Sequence, residues 1–223
     1  LAETSVTLSA HLANIRKRKL CALVLLPDMG GANLILDHAD NLEGAAPDVI
    51  MLDKGGHPPC HFPCHTIGFN PYEEGVVAGR HVRKWSSDRV VFVGALTNGR
   101  IPYWASQRAE GLKAALRGRR RELICRWLHR GVSPERIRAI IKDSKATPPS
   151  LVADNDETAA WIVDQAAAVG LTTPEDFRLM GFDNALAFRH YNLTTVAVPM
   201  DEIGTAMAKM IIAKPLLKSD NYK

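Results

Sequence analysis

The sequence predicts an α/β protein built on doubly wound parallel sheets. Short apolar runs of strand length alternate with helix-length stretches along the chain, and turn residues bound each run. The runs are apolar on both faces, as strands are when helices cover both sides of a sheet. Residues 150–199 show the alternation most clearly, with one run ending at Asp154, a helix-length stretch closed by Gly170, and a further run ending at Asp183.

The elements follow from this alternation in chain order. The predicted strands are residues 20–26, 48–52, 66–69, 89–94, 122–127, 151–153 and 177–182, followed by a run that ends at Pro199. The predicted helices are residues 1–19, 34–42, 72–85, 104–116, 134–143, 157–169 and an amphipathic stretch from Met200. Apolar residues three or four positions apart define the helices, as Leu8, Leu12 and Ile15 do in the first.

Composition limits the class of protein. The chain has 223 residues, 46% hydrophobic and 23% charged, which is typical of a soluble globular protein with one large domain or two small ones. No apolar run is long enough to cross a bilayer, so no membrane partner is expected. Four scattered cysteines and the lack of a signal peptide favour a reduced, cytoplasmic protein, although a processed secreted protein would also lack its signal.

Three local patterns suggest ligands and are better explained otherwise. Basic clusters at residues 16–19 and 117–121 could contact phosphate, but solvated helix ends more often look this way. The glycine-spaced segment 94–99 resembles a phosphate loop, yet Arg100 replaces its lysine and Ile101 its serine or threonine, so we expect an ordinary loop. Residues 57–65 hold three histidines and two cysteines that could bind zinc, but three prolines restrict their convergence, and we expect no metal.

Polar side chains stand near the ends of predicted strands, where open α/β sheets bind ligands. Arg108 offers a fork of five donors, Asn155 offers an acceptor and donors, and Asp183 can accept two hydroxyl hydrogens, which together suit a polyhydroxylated ligand. Each also has a local alternative: Asn155 can cap the next helix, Asp183 can belong to a turn, and Arg108 can be an exposed helix residue.

Several motifs, in this order, resemble the effector-binding core of lactose-repressor-type bacterial transcription regulators. Residues 69–80 (FNPYEEGVVAGR) are similar to the family's Asp-Asn-x-x-x-Gly-x-x-Ala-Gly-Arg segment. The other matching segments are residues 108–112 (RAEGL), 155–159 (NDETA), 174–176 (PED), 181–184 (GFDN) and 193–196 (LTTV). The resemblance covers nearly the whole chain.

The resemblance implies a periplasmic-binding-protein-like fold of type I, in which a hinge joins two doubly wound lobes. One lobe would comprise residues 1–70 and 199–214, and the other residues 71–198 and 215–223. The family's DNA-binding headpiece and its first strands would be absent from this chain. A small effector would bind between the lobes, without cofactor and without chemistry on the ligand.

The resemblance also names candidate effector contacts: Asn70, Arg108, Asn155 and Asp183, with Trp104, Asp53 and Trp127 as further candidates. Pro102 stands where purine-sensing relatives place an arginine, so a sugar or polyol is expected. The protein would be a homodimer that binds operator DNA through a headpiece outside this chain. Two rival functions stay open: an exported sugar-binding protein of a transport system, and an enzyme on a doubly wound sheet.

Overall fold

The computed structural model describes residue 17 and residues 22–25, 48–53, 65–85, 89–117, 122–143 and 148–213. Outside these residues lie the predicted helix 34–42, all but one residue of the predicted helix 1–19, residues 57–64 of the histidine–cysteine segment, and residues 215–223. The chain forms two compact units, one from the residues up to Phe69 with those from Pro199 onward, the other from Asn70–Val198. No helix in the described ranges is long and apolar enough to cross a membrane.

The first unit contains a three-stranded parallel sheet in the order β1-β2-β3. Its strands are β1 (Ala22–Leu25), β2 (Asp48–Asp53) and β3 (His65–Gly68). Residues 49–52 of the central strand are all buried, as expected for a strand covered on both faces. The helix Met200–Ile212 belongs to the same unit and contacts β3.

The second unit contains a five-stranded parallel sheet in the order β5-β4-β6-β7-β8. Its strands are β4 (Arg89–Ala95), β5 (Glu122–Leu128), β6 (Ser150–Ala153), β7 (Arg178–Asp183) and β8 (Thr194–Ala197). Its α-helices are α1 (Pro71–Val82), α2 (Tyr103–Leu116), α3 (Pro134–Asp143) and α4 (Asp156–Ala167). A 3-10 helix over Leu186–Tyr191, which the sequence did not predict, connects β7 to β8. The predicted α/β class with parallel sheets is confirmed.

Helices cover both faces of the five-stranded sheet. Val91 and Val93 of β4 belong to a buried cluster with residues of α3 and α4, such as Ile140 and Ile162. Val90 and Phe92 of the same strand belong to a second buried cluster with α1 and α2. This alternation along one central strand explains why the strands read as continuous apolar runs.

The strand order places a topological switch point between β4 and β6. The chain passes from β4 to β5 on one side and then returns to β6 on the other side of β4. In doubly wound sheets, ligands bind outside the carboxyl ends of the strands at this point. Asp154, the residue after β6, spans it: its N–H donates to the carbonyl of Val93 at 2.9 Å, and its carboxylate accepts from the Ala95 N–H at 2.9 Å.

Two glycines allow α1 and α2 to pack with their backbones in contact. A Cβ on Gly75 would lie 2.1 Å from the carbonyl oxygen of Arg108, and one on Gly111 would lie 1.9 Å from that of Tyr72. No other residue type fits either position without moving a helix. This close approach places Glu74 of α1 beside Arg108 of α2.

The loop after β4 is a tight turn and not a phosphate cradle. Thr97 and Arg100 exchange backbone hydrogen bonds of 2.9 and 3.0 Å around Asn98 and Gly99, whose φ angles are 50° and 73°. Positive φ at both central residues is typical of the two-residue hairpin turns favoured by Asn-Gly. The N–H groups of Thr97 and Arg100 donate to each other's carbonyls, so these two N–H groups are not available to bind a phosphate. The segment is a turn, as the sequence predicted.

Candidate functional site

Arg108 organises a polar cluster at the carboxyl end of the five-stranded sheet. Its guanidinium donates from Nε to Glu74 Oε2 at 2.8 Å, from Nη1 to the Asp154 carbonyl at 2.7 Å, and from Nη2 to Asp183 Oδ1 at 2.7 Å. Arg108 is only 2% exposed. The three bonds leave two of its five N–H groups for other acceptors. The structure therefore brings Arg108 and Asp183 together and adds two partners that the sequence did not predict.

Aromatic rings hold the guanidinium in place. The Cζ atom of Arg108 lies 5.0 Å from the centre of the Trp104 ring and 4.6 Å from that of Phe182. Both distances are within the range of cation–π attraction. Trp104 is half-buried beside Arg108. Arg108 is consequently a fixed group, anchored by two ion pairs and two rings.

Asp183 is the exposed acceptor of the cluster. One carboxylate oxygen binds Arg108, while 39% of the side chain remains exposed. Its φ angle is +99°, in a region that residues other than glycine seldom occupy, and Asn184 follows at φ 50°. Backbone strain of this kind persists only where the surroundings impose it and is frequent at ligand sites. The arrangement leaves the carboxylate of Asp183 able to accept ligand hydroxyls.

Asp156 holds in place the backbone that follows Asp183. Its Oδ1 accepts from the Thr195 hydroxyl at 2.7 Å and its Oδ2 from the Ala185 N–H at 2.9 Å. A Cβ on Gly181 would lie 2.3 Å from Asp156 Oδ1, so glycine is required for this approach. Burial raises the pKa of the Asp156 carboxyl, against the two hydrogen bonds. Asp156 is a support for the site, buried at 3% exposure.

Asn155 and Asn70 each cap the amino-terminal end of a helix. For Asn155, the sequence predicts this role as an alternative to ligand contact. The Asn155 side chain accepts from the Thr158 N–H at 2.7 Å and begins α4. The exposed Asn70 side chain accepts from the Tyr72 N–H at 3.0 Å and begins α1. In each case the side-chain oxygen is occupied and the amide N–H groups stay available to a ligand. Their predicted contact with an effector stays a prediction.

Trp127 has a packing role in the second unit, and Asp53 lies in the first unit, where its predicted effector contact stays a prediction. Trp127 packs against Phe92 with ring centres 5.6 Å apart, and a Cβ on Gly94 would lie 2.1 Å from the Trp127 ring. These contacts explain Trp127 as packing at the edge of the sheet. Asp53 is the last residue of β2 in the first unit, paired in register with Gly68.

Three carboxylates of the site escaped the sequence prediction of ligand contacts. Glu74 meets Arg108 across 34 residues, and Asp156 meets Thr195 across 39 residues, so neither partner can be read from local spacing. Asp154 adjoins Asn155, and the run Asp-Asn-Asp after an apolar strand was the signal available. A helix needs only one capping residue, so the acidic residues on both sides of Asn155 indicate that this segment has a further role.

We expect Asp154→Asn to stabilise the protein at neutral pH. Burial raises the pKa of the Asp154 carboxyl from 3.8 to about 6, although the hydrogen bond from the Ala95 N–H opposes this. The folded state therefore holds the proton to higher pH than the unfolded state, and the contribution of this group to stability falls as pH rises from 4 to 6. Since asparagine carries no charge to bury, the free energy of unfolding at pH 7 should rise by on the order of 2–3 kcal/mol.

Urea unfolding at pH 4, 6 and 7 measures this effect as the difference between wild type and variant. That difference should be small at pH 4 and largest at pH 7. Glu175→Gln, at an exposed carboxyl in the loop before β7, is the matched control and should change stability little at any of the three pH values. If the wild-type protein is as stable as Asp154→Asn at pH 7, the conclusion that Asp154 is buried and charged at this pH is wrong.

Comparison with known proteins identifies the domain type. The model of the periplasmic binding protein-like domain matches residues 80–220. A LacI family transcriptional regulator from Enterococcus faecium, solved with bound ribose, is 25% identical with a TM-score of 0.69, over 91% of this chain and 74% of that one. A periplasmic binding protein/LacI transcriptional regulator from Alkaliphilus metalliredigens, complexed with D-xylulofuranose, shares the fold at 15% identity and a TM-score of 0.66, over 93% and 76% of the two chains.

Curated relatives are named as transcription regulators. The NTD biosynthesis operon regulator NtdR of Bacillus subtilis is 38% identical over 74 residues, which are 32% of this chain and 22% of the relative. The HTH-type transcriptional repressor PurR of Klebsiella pneumoniae is 25% identical over 158 residues, 68% of this chain and 45% of the relative. The chain thus spans less than half the length of these relatives. Their names agree with the expectation that this chain is not an enzyme.

Proposed function

The chain belongs to the periplasmic binding protein-like domain family, as an effector-binding core of lactose-repressor type, and we propose that it senses a small sugar or polyol for a bacterial transcription regulator. The observation that carries this function is the Arg108–Asp183 pair, 2.7 Å apart, at the carboxyl end of the doubly wound sheet. The pair adjoins the switch point that Asp154 spans, where sheets of this kind bind ligands.

The charges of the cluster favour a neutral ligand over an anion. Among the residues that the structure describes, four carboxyl groups lie around the guanidinium of Arg108, those of Glu74, Asp154, Asp156 and Asp183. An anionic effector, such as a sugar phosphate, would add a further negative charge to this excess. A polyol can instead donate its hydroxyl hydrogens to Asp183 and lay an apolar face on the Trp104 ring.

Ligand specificity in this site would come mainly from Asp183. A charge-assisted hydrogen bond contributes about 1.5–3 kcal/mol, so a carboxylate that accepts from two hydroxyls distinguishes between sugars that differ at one carbon. Because Asp183 is held by Arg108 and its backbone by Asp156, its position is set before the ligand arrives. Preorganised groups of this kind lose little entropy on binding.

In the proposed mechanism the ligand shifts a homodimeric, cytoplasmic regulator between two conformations, without reacting itself. The proposal includes two lobes with the effector between them, as assigned from the sequence. One lobe comprises residues 1–70 and 199–214, and the other comprises residues 71–198 and 215–223. A headpiece beyond this chain would bind the operator. By linkage, operator DNA must change effector affinity by the same factor as the effector changes operator affinity.

A thermal-shift screen of the chain against sugars, polyols and sugar phosphates tests this function. A neutral effector at 100 times its Kd adds about 2.7 kcal/mol of stability, which raises Tm by roughly 5–11 °C for a chain of this size. Asp183→Asn is the comparison variant and should remove about half of the shift or more at the same ligand concentration. If no neutral sugar or polyol stabilises the protein, or if only sugar phosphates do, the proposed ligand class is wrong.

The rival function of an exported sugar-binding protein rests on the same family match, since the A. metalliredigens relative carries both descriptions. The coding sequence upstream of this chain separates the two. A helix-turn-helix segment there supports the regulator, and a signal peptide supports the exported protein.

A further inference from the structure

A cavity opens at the amino-terminal edge of the five-stranded sheet, opposite the edge with the Arg108 cluster. Its volume is about 370 Å³, within the range of about 300–1,000 Å³ found for small-molecule sites. Its lining includes Arg178 at the start of β7, Thr194 at the start of β8, Trp85 and Tyr191. Arg108 and Asp183 belong to the other edge, so the two sites share a sheet and no residue.

Arg178 brings a positive charge to this cavity. It is half-buried, and its backbone N–H donates to the Pro149 carbonyl at 2.7 Å. Its side chain forms no ion pair and no hydrogen bond with any residue in the described part of the chain. Arg108 and Arg130, by contrast, are paired with carboxylates. Arginines removed from water are ordinarily paired, and the guanidinium fork matches a carboxylate in particular.

Two aromatic rings of the cavity are held in fixed positions. The Tyr191 hydroxyl donates to the carboxylate of Asp164, with oxygen distances of 3.0 and 3.2 Å. Trp85 packs against the cluster between the sheet and helices α1 and α2, and its ring meets that of His81 edge-on at 5.9 Å. Rings that are already fixed offer apolar surface to a flat ligand at little cost in entropy.

We propose that this cavity is a second small-molecule site, which binds a planar aromatic carboxylate. The carboxylate pairs with Arg178, and the aromatic part of the ligand packs on Trp85 and Tyr191. The Thr194 hydroxyl and the Asn192 amide, which also line the cavity, can meet polar substituents of the ring. This site is independent of the sugar site, and either can exist without the other.

Isothermal titration of the chain with naphthalene-2-carboxylate tests the second site. We expect saturable binding at one molecule per chain. The neutral amide of the same ring system should bind at least about 10-fold more weakly, because about 10-fold is the lower end of what a charge-assisted contact contributes. Acetate, which lacks the ring, should also bind at least about 10-fold more weakly. This comparison of three compounds uses the unmodified protein and needs no variant.

The variant Arg178→Gln then tests whether Arg178 is the residue that pairs with the ligand carboxylate. The variant should weaken binding of the carboxylate by about 10-fold or more and leave binding of the amide unchanged. Arg136→Gln, at an exposed arginine of α3, is the matched control and should bind both compounds as wild type does. Three results would overturn the second site: no saturable binding of the carboxylate, equal binding of acid and amide, or wild-type affinity in Arg178→Gln.

Discussion

Arg108→Ala is expected to lower the free energy of unfolding by about 3–5 kcal/mol, the usual effect of removing one partner from a buried ion pair. The guanidinium satisfies Glu74, Asp183 and the Asp154 carbonyl at 2.7–2.8 Å, and it is 2% exposed. Without it, Glu74 loses an ion-pair partner 2.8 Å away. Two aromatic contacts, with Trp104 and Phe182, are lost as well. Equilibrium unfolding in urea at pH 7 measures the change.

Two further variants separate charge from geometry at this position. Arg108→Lys keeps the charge but cannot reach three acceptors in the fork geometry, so its stability should lie between those of wild type and Arg108→Ala. Arg136→Ala, at an exposed arginine, should change stability by no more than about 0.5 kcal/mol. A loss below about 1 kcal/mol in Arg108→Ala would contradict the role of Arg108 as the buried anchor of the site.

Asp183→Asn should weaken sugar or polyol binding by about 10–150-fold, which corresponds to about 1.5–3 kcal/mol, and leave the protein folded. Asparagine tolerates the φ of +99° at this position better than alanine does, and its carbonyl oxygen can still accept from Arg108. What the variant lacks is the second carboxylate oxygen, on a side chain that is 39% exposed in the free protein. Calorimetric titration with a ligand from the thermal-shift screen gives the two dissociation constants.

The control for this variant is Glu175→Gln, which removes an exposed carboxylate from the loop before β7. It should bind the ligand as wild type does, since the residue belongs to no contact of the Arg108 cluster. If Asp183→Asn binds with the wild-type constant, the ligand does not contact Asp183, and the site has been assigned to the wrong residues.

Sequence reasoning named the two residues that meet at the centre of the polar cluster, because each follows a rule that depends on local pattern. Asp183 ends an apolar strand, and Arg108 lies within the first turns of the helix after another strand. Since parallel strands present their carboxyl ends at one edge, residues 75 positions apart could be placed together. The same pattern gave the parallel α/β class.

The remaining parts of the site depend on contacts between distant segments. Glu74 reaches Arg108 only because Gly75 and Gly111 let two helices touch, which spacing along the chain does not reveal. The 3-10 helix Leu186–Tyr191 has no apolar periodicity to identify it, and two residues of positive φ, Asn184 and Asn192, stand before and after it. Asn155 satisfies a local capping rule, which the sequence predicts as an alternative to ligand contact.

A crystal structure of the chain with the ligand that raises Tm most would test the central claim directly. It should place ligand hydroxyl oxygens about 2.6–3.0 Å from the carboxylate of Asp183, beside the Trp104 ring and the switch point at Asp154. Ligand bound elsewhere on the chain, with Asp183 still facing solvent, would contradict a sugar site at the carboxyl end of this sheet.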